Sequence, residues 1–353
     1  MRVTRTTAAA EPNATIEICG RRIAPGSRAT VDLPVADLYT HASLAMPVQV
    51  INGRRRGPVL FLSAAVHGDE ICGVEIIRRL LKRKILRSIR GTLLAVPVVN
   101  VHGFLDQSRY LPDRRDLNRS FPGSPKGSVA ARLAHVFASE IVAKADYGID
   151  LHTGAVHRGN LPQIRANLDD ERTLHLARAF GTPILINSDL RDGSLREHAA
   201  SRGIPMLLYE TGEALRFDEI GIRAGIRGIL NVMRAISMLP PKKNPSRVAD
   251  SVVARQTSWV RASQSGMVNS TVRLGQRVAK GQTLATIADP FGESESSVAA
   301  PFAGVVIGRN NLPLAHEGDA LFHVAAVESA RAAQAAVEKF TTHHDPSPSE
   351  PGG

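Results

Sequence analysis

Pro58-Val59-Leu60-Phe61-Leu62-Ser63-Ala64-Ala65-Val66-His67-Gly68-Asp69-Glu70 is the stretch that decides the fold. Its apolar run shows no alternation, the pattern of a strand buried on both faces of a sheet. The chain then passes through His67-Gly68-Asp69-Glu70 into apolar residues at helical spacing, which predicts a helix over 74–87. Upstream, 15–18, 29–33 and 46–50 read as short strands separated by turns. Downstream, 91–100 reads as a second buried strand, and 129–145 as an amphipathic helix feeding a strand at 147–151. Further strands are expected at 182–187 and 204–209, each preceded by helical sequence. Strands alternating with helices give an α/β domain with a mostly parallel or mixed sheet.

A chain of 353 residues is too long for one small domain and suits a large catalytic domain plus a smaller module. Hydrophobic content of 43% with 22% charged residues excludes wholesale disorder. No long uncharged apolar run suggests a membrane span, and residues 1–10 lack the apolar core of a secretory signal. Cys19 and Cys72 cannot build a disulfide framework or a zinc–cysteine cluster, so the expected compartment is the cytoplasm. The net charge of +11 is mostly arginine scattered through helical sequence, with 4% aromatic residues and one tryptophan, Trp259. Nucleic-acid binders cluster such charge with stacking aromatics, so a solvated arginine-rich surface is the favoured reading, with which a basic pocket for an anionic substrate is compatible.

The α/β domain should end near Leu239, where Leu239-Pro240-Pro241-Lys242-Lys243-Asn244-Pro245-Ser246 reads as a linker. The expected organisation is an N-terminal β-rich segment (1–45), a catalytic domain (46–240), a C-terminal β module (250–327) and a helical, then disordered, tail (328–353). The module, with short glycine-rich β runs in two half-repeats, resembles the small β-sandwich of biotinyl and lipoyl domains. Those domains carry a modifiable lysine between the halves. Ala288-Asp289-Pro290-Phe291-Gly292 has none, so the module reads as structural, shaping the active-site entrance.

In open α/β sheets, ligands bind beyond the carboxyl ends of the strands. His67 and Glu70 follow one expected strand, His152 a second and Glu210 a third, which puts two histidines and two carboxylates on one rim. His67, Glu70 and His152 would form a two-histidine, one-glutamate set, one of the catalytic zinc ligand sets, with Glu210 as proton carrier. Singly, each has a bland alternative, a core histidine or a capping carboxylate; jointly they favour a metal site. Gly68, Gly154 and Gly212 nearby fit close backbone approach to a ligand, and also ordinary turns. In the loop after Asn100, Arg109 could stabilise an oxyanion, and Asn118 and Arg119 could hold a substrate carboxylate.

His67-Gly68-Asp69-Glu70, the loop from Arg109-Tyr110 to Asp116-Leu117-Asn118-Arg119-Ser120-Phe121-Pro122, and Asp150-Leu151-His152-Thr153-Gly154 resemble the succinylglutamate desuccinylase/aspartoacylase family. The resemblance runs from about Met46 to Met238 and extends to the β-rich module of bacterial members. It implies a zinc-carboxypeptidase-like mixed sheet flanked by helices, one Zn2+ per chain on His67, Glu70 and His152, and Glu210 as general base and acid. It further implies Arg109 on the polarised carbonyl oxygen and Asn118 and Arg119 on a substrate carboxylate. A further substrate-binding arginine known in aspartoacylase has two candidates here, Arg196 and Arg202; Gly193-Ser194-Leu195-Arg196 favours Arg196.

The expected function is therefore a zinc-dependent deacylase acting on the amide bond of a small anionic N-acyl amino acid or related amine. The alternatives are a metallocarboxypeptidase acting on short peptides and a non-catalytic protein that binds anionic ligands. Neither nucleic acid nor membrane is an expected partner, and a homo-oligomer stays open.

Overall fold

The apolar run at 58–66 supplies most of the strand Arg55–Ala64, whose successive side chains serve two separate cores. Leu60 and Leu62 pack with Ile76, Ile77 and Leu80, whereas Phe61 packs with Leu133 and Phe137 on the opposite face. Burial on both sides is why the run does not alternate, and each fully buried Leu or Phe contributes roughly 1.5–3 kcal/mol. The structure is a computed structural model and describes residues 11–242 and 251–346. The start of the chain, linker residues 243–246 and the Ser/Pro/Gly-rich end lie outside the described residues.

Arg55–Ala64 runs parallel to Arg90–Val96 on one side and to Tyr147–Gly154 on the other, and Met206–Glu213 is parallel to the latter. Four parallel strands thus present their carboxyl ends on one rim. Ser43–Asn52 and Arg28–Asp37 extend the sheet antiparallel at one flank, and Arg158–Ala166 does so at the other. Helices Cys72–Leu81, Glu171–Phe180 and Glu219–Ala235 cover one face; Val129–Glu140 and Leu195–Ser201 cover the second. The result is the expected mixed sheet flanked by helices.

Two local expectations are corrected. The helix expected over 74–87 starts at Cys72 and ends at Leu81, followed by a 3-10 turn Lys84–Ser88. A continued α-helix would carry Leu86 away from the face of Ile76, Ile77 and Leu80; the tighter turn returns it to the same core. The strand Arg158–Ala166, with Pro162 in its middle, is additional to the strands expected. Along one edge of this strand, residues 158–160 pair with Gly304–Asn310 and residues 163–166 with Ile184–Asn187. Pro162, which has no N–H to donate, falls in the gap between the two partners.

Residues after 251 form a four-stranded sheet, in the order Glu295–Ala299, Thr283–Ala288, Gly266–Ser270, Leu314–Ala315. They also add Gln256–Arg261, Ala320–Ala326 and Gly304–Asn310 to the large sheet, which counts thirteen strands among the described residues. Leu284, Ile287 and Val298 of the small sheet pack with Val306, Phe322 and Val324 of the large one. The tail helix Ala330–His344 closes the edge by burying Ala333 and Val337 against Val305 and Ile307. No helix among the described residues is long and apolar enough to cross a membrane.

Candidate active site

His67 and Glu70 lie on the turn between the strand Arg55–Ala64 and the helix Cys72–Leu81. The turn begins at Ala65, which takes a left-handed φ of +48°, unusual for a residue with a Cβ. The kink is held because the carbonyls of Ala64 and Ala65 accept from the amides of Val99 and Asn100. His152 and Glu210 do not follow their strands as expected but sit within them, near the carboxyl ends of Tyr147–Gly154 and Met206–Glu213. The two residues are register partners in the parallel pairing, so both side chains leave the same face of the sheet. The pairing shifts register just beyond Glu210, on both of its neighbours, a bulge that bends the strand end at the rim.

The geometry brings the three expected ligands together. Glu70 places Oε1 2.7 Å from Nδ1 of His67 and Oε2 2.7 Å from Nδ1 of His152. Ligand atoms of the three lie within 4.8 Å of one another, all buried, a group that could hold a metal ion. The opposite ring nitrogens are also anchored: Nε2 of His67 lies 3.0 Å from Asp116, and Nε2 of His152 lies 2.6 Å from Asp150. Asp150 is in turn fixed by the Ser63 hydroxyl at 2.7 Å. Each imidazole therefore turns one nitrogen to the shared centre and has a carboxylate on the other, the arrangement that orients metal-ligating histidines.

The electrostatics point the same way. Burial would lower the pKa of both histidines, yet Glu70, with Asp116 for His67 and Asp150 for His152, raises them above the ordinary value. Burial would likewise raise Glu70, but the two histidines hold its carboxyl far below the usual range. Three carboxylates thus converge on two rings and favour protons there, and a bound cation would take the place of those protons. Arg109 sits at the edge of this group, with Nη1 3.3 Å from Glu70 and Nη2 3.1 Å from Asp116.

Glu210 is held at both oxygens. Oε2 accepts from Asn160 Nδ2 at 2.7 Å, and Oε1 lies 3.6 Å from Arg165 Nε. Asn118 uses its side-chain oxygen to accept from the Leu195 amide, and Arg119 donates to the Asn118 carbonyl. Arg196 donates to the carbonyls of Ser188 and Asp189 and lies 3.2 Å from the Ser188 hydroxyl; burial lowers its pKa to about 10. All eight expected residues border one cavity of about 420 Å³, and Arg202, the other arginine considered, does not.

The three glycines are each required by the chain's own packing or turn, and Gly154 also borders the cavity. A Cβ on Gly68 would lie 1.9 Å from the Gly103 backbone, and one on Gly154 would lie 1.9 Å from the Arg158 carbonyl oxygen. Gly212 takes φ +67° beside Asp218. Sequence reasoning gave no role to Asp116, Asp150, Asn160, Arg158 or Arg165, or to Trp259 as a cavity residue. Asp150 had a usable signal, since residues two apart on a strand share a face and Asp150 precedes His152 by two. Trp259 had none, because it reaches the cavity from a strand beyond the linker.

Residues 56–236 match the succinylglutamate desuccinylase/aspartoacylase catalytic domain family. The N-alpha-acetyl-L-2,4-diaminobutyric acid deacetylase of Halomonas elongata is 28% identical over 310 residues, covering 84% of this chain and 90% of the relative. Among solved structures, a succinylglutamate desuccinylase/aspartoacylase from Rhodobacter sphaeroides superposes with TM-score 0.76 at 26% identity, covering 85% of this chain and 95% of the other. The product-bound ectoine utilization protein EutE (DoeB) from Ruegeria pomeroyi gives the same TM-score, identity and coverage.

Proposed function

This chain belongs to the succinylglutamate desuccinylase/aspartoacylase catalytic-domain family, and on that premise we propose that it is a zinc-dependent hydrolase cleaving the amide bond of a small N-acyl amino acid or related N-acyl amine. The observation that carries the reading is the convergence of a buried His67–Glu70–His152 donor set and Glu210 on one arginine-lined cavity. Two nitrogen donors and one carboxylate, with each ring braced by a second carboxylate, fit zinc. Bound there, zinc would bring the pKa of a water to about 7 and polarise the scissile carbonyl.

The chain's own residues would do the rest. Glu210, positioned by Asn160, takes a proton from the attacking water and returns it to the departing amine. Arg109, already turned to Glu70 and Asp116, donates to the carbonyl oxygen as it gains charge. Asn118, with its oxygen committed to Leu195, offers its amide N–H groups to a substrate carboxylate, and the exposed Arg119 guanidinium offers a second grip. Arg196 borders the same space; its bonds to Ser188 and Asp189 give it the task of shaping the pocket floor before that of contacting substrate. The products are a carboxylic acid and a free amine.

Residues 46–240 form the catalytic domain on this reading. Residues 250–327 form a β-sandwich-like module that lends the cavity a wall, with the 1–45 segment and the 328–353 tail flanking them.

The test is release of free amine from N-acetyl and N-succinyl amino acids by the zinc-loaded protein, with short peptides in parallel. The Halomonas relative makes N-acetyl-diaminobutyrate a necessary member of the panel. Amine release from N-acyl amino acids is the expected result. Cleavage of peptides alone would replace the reading with a carboxypeptidase, and binding of anions without any turnover would replace it with a binding protein.

A further inference from the structure

Eight buried side-chain nitrogen and oxygen atoms among the described residues have no hydrogen-bond partner, and five of them lie on one strand, Arg158–Ala166. They are Arg158 Nε, Asn160 Oδ1, Arg165 Nε and both amide atoms of Gln163. Three of these side chains have other company. Arg158 lies over the Trp259 ring, its guanidinium carbon 4.6 Å from the centroid, and Trp259 in turn stacks on His323 at 4.5 Å. Arg165 has His323 Nδ1 3.5 Å from Nη2 and adjoins Glu210, and Asn160 donates to Glu210.

Gln163 is left with nothing. It is wholly buried, and neither Nε2 nor Oε1 is satisfied. A buried amide in that state costs free energy that an apolar side chain of similar size would not. Gln163 is the register partner of Glu210 in the antiparallel pairing with Met206–Glu213, so both side chains leave the same face of the sheet. On its other edge the register partner is Ile184, which lies in an apolar cluster with Leu161. The polar neighbour across the ladder is therefore Glu210. Register partners start about 4.5–5.5 Å apart at Cβ, so an amide and a carboxylate on them that do not bond directly are within the span of one water. Gln163 does not border the cavity, so anything it does for the reaction passes through Glu210.

We propose that Gln163 is a positioning residue that holds Glu210 through one enclosed water. The proposal rests on the deacylase reading, in which Glu210 carries the proton. Asn160 Nδ2 and the Arg165 guanidinium can only donate, which suits Glu210 as a carboxylate. Midway through the reaction Glu210 is protonated, and a donor-only setting no longer matches it. An amide both donates and accepts, and so does water. The water accepts from Gln163 Nε2 while Glu210 is ionised, and turns to donate to Oε1 while Glu210 is protonated. The carboxyl group thus keeps its orientation in both halves of the cycle.

The test uses the zinc-loaded protein and its best substrate among the N-acyl amino acids. Gln163→Leu should lower kcat by roughly 10–100-fold, the worth of one hydrogen bond to a charged group, with KM and zinc content unchanged. In a Glu210→Gln background the same change should have no further effect, since the group it positions no longer carries a proton. Gln163→Asn, which keeps an amide, should recover most of the rate. The urea midpoint of Gln163→Leu should not fall, because an unsatisfied amide is removed, and Gln163→Met repeats the reading with an unbranched chain. An unchanged kcat, an equal loss in the Glu210→Gln background, or loss of the fold in both apolar variants would each overturn the proposal and leave the deacylase reading standing. A wild type that releases no amine from any of these substrates overturns that reading, and this proposal with it.

Discussion

Glu210 stands opposite His152, residue for residue, in the parallel pairing of Met206–Glu213 with Tyr147–Gly154. Neighbouring strands lie about 4.8 Å apart, so the pairing alone fixes Glu210, the proposed proton carrier, beside His152, a proposed metal ligand. Glu210→Gln keeps the Asn160 contact geometry and removes only the basic oxygen. The expected outcome is a fall in kcat of roughly 10²–10⁴ with unchanged zinc content by plasma mass spectrometry. Loss of zinc in this variant would make Glu210 a ligand and end its role as base.

The carboxylates behind the histidines should matter nearly as much as the ligands. Asp150→Asn leaves a neutral amide 2.6 Å from His152 Nε2 in place of a carboxylate. Zinc affinity, measured by competition with a chelator, should fall by about 10–100-fold. His152→Ala should abolish stoichiometric binding. An Asp150→Asn protein with wild-type affinity would show that the second carboxylate is structural only.

Gly154 carries the strand end that holds His152, and a Cβ there would lie 1.9 Å from the Arg158 carbonyl. Backbone must move to admit it. Gly154→Ala should cost about 1–3 kcal/mol in urea denaturation and displace Arg158 from Trp259, visible as a change in the native emission spectrum. An unchanged midpoint and spectrum would mean that the hairpin is softer than its geometry implies.

His323 gives the fold a pH dependence. Burial, then Arg165 and Arg158, push its pKa down to about 3. Between about pH 3 and the unfolded value near 6.5, the unfolded chain binds a proton that the folded one refuses, so stability falls as pH drops through that window. At pH 5 the effect is about 2 kcal/mol relative to pH 7. His323→Phe, which keeps a ring against Trp259, should remove that part of the slope in urea midpoints measured at pH 5 and 7. Identical slopes in both proteins would place the titration elsewhere.

What the sequence made legible follows from range. The strand at 58–66 and the rim residues were readable because burial pattern and strand ends are local properties, and His67, Glu70, His152 and Glu210 do converge. Helix ends were less readable, since Leu86 leaves the helix for a tertiary reason. The Arg158–Ala166 strand was not among those expected, and its central Pro162 is accommodated by the change of pairing partner. Trp259 and His323 could not be assigned to the site at all. Their place depends on Gly308 pairing with Asn160, a contact that no spacing in the chain announces.

That last pairing has a consequence for how the protein is born. His67, Glu70, His152 and Glu210 are translated long before Gly304–Asn310, and until that strand follows, residues 158–160 lack their partner on this edge. Such edges are templates for joining other chains. The last third of the polypeptide therefore both adds Trp259 to the cavity wall and covers the edge at residues 158–160.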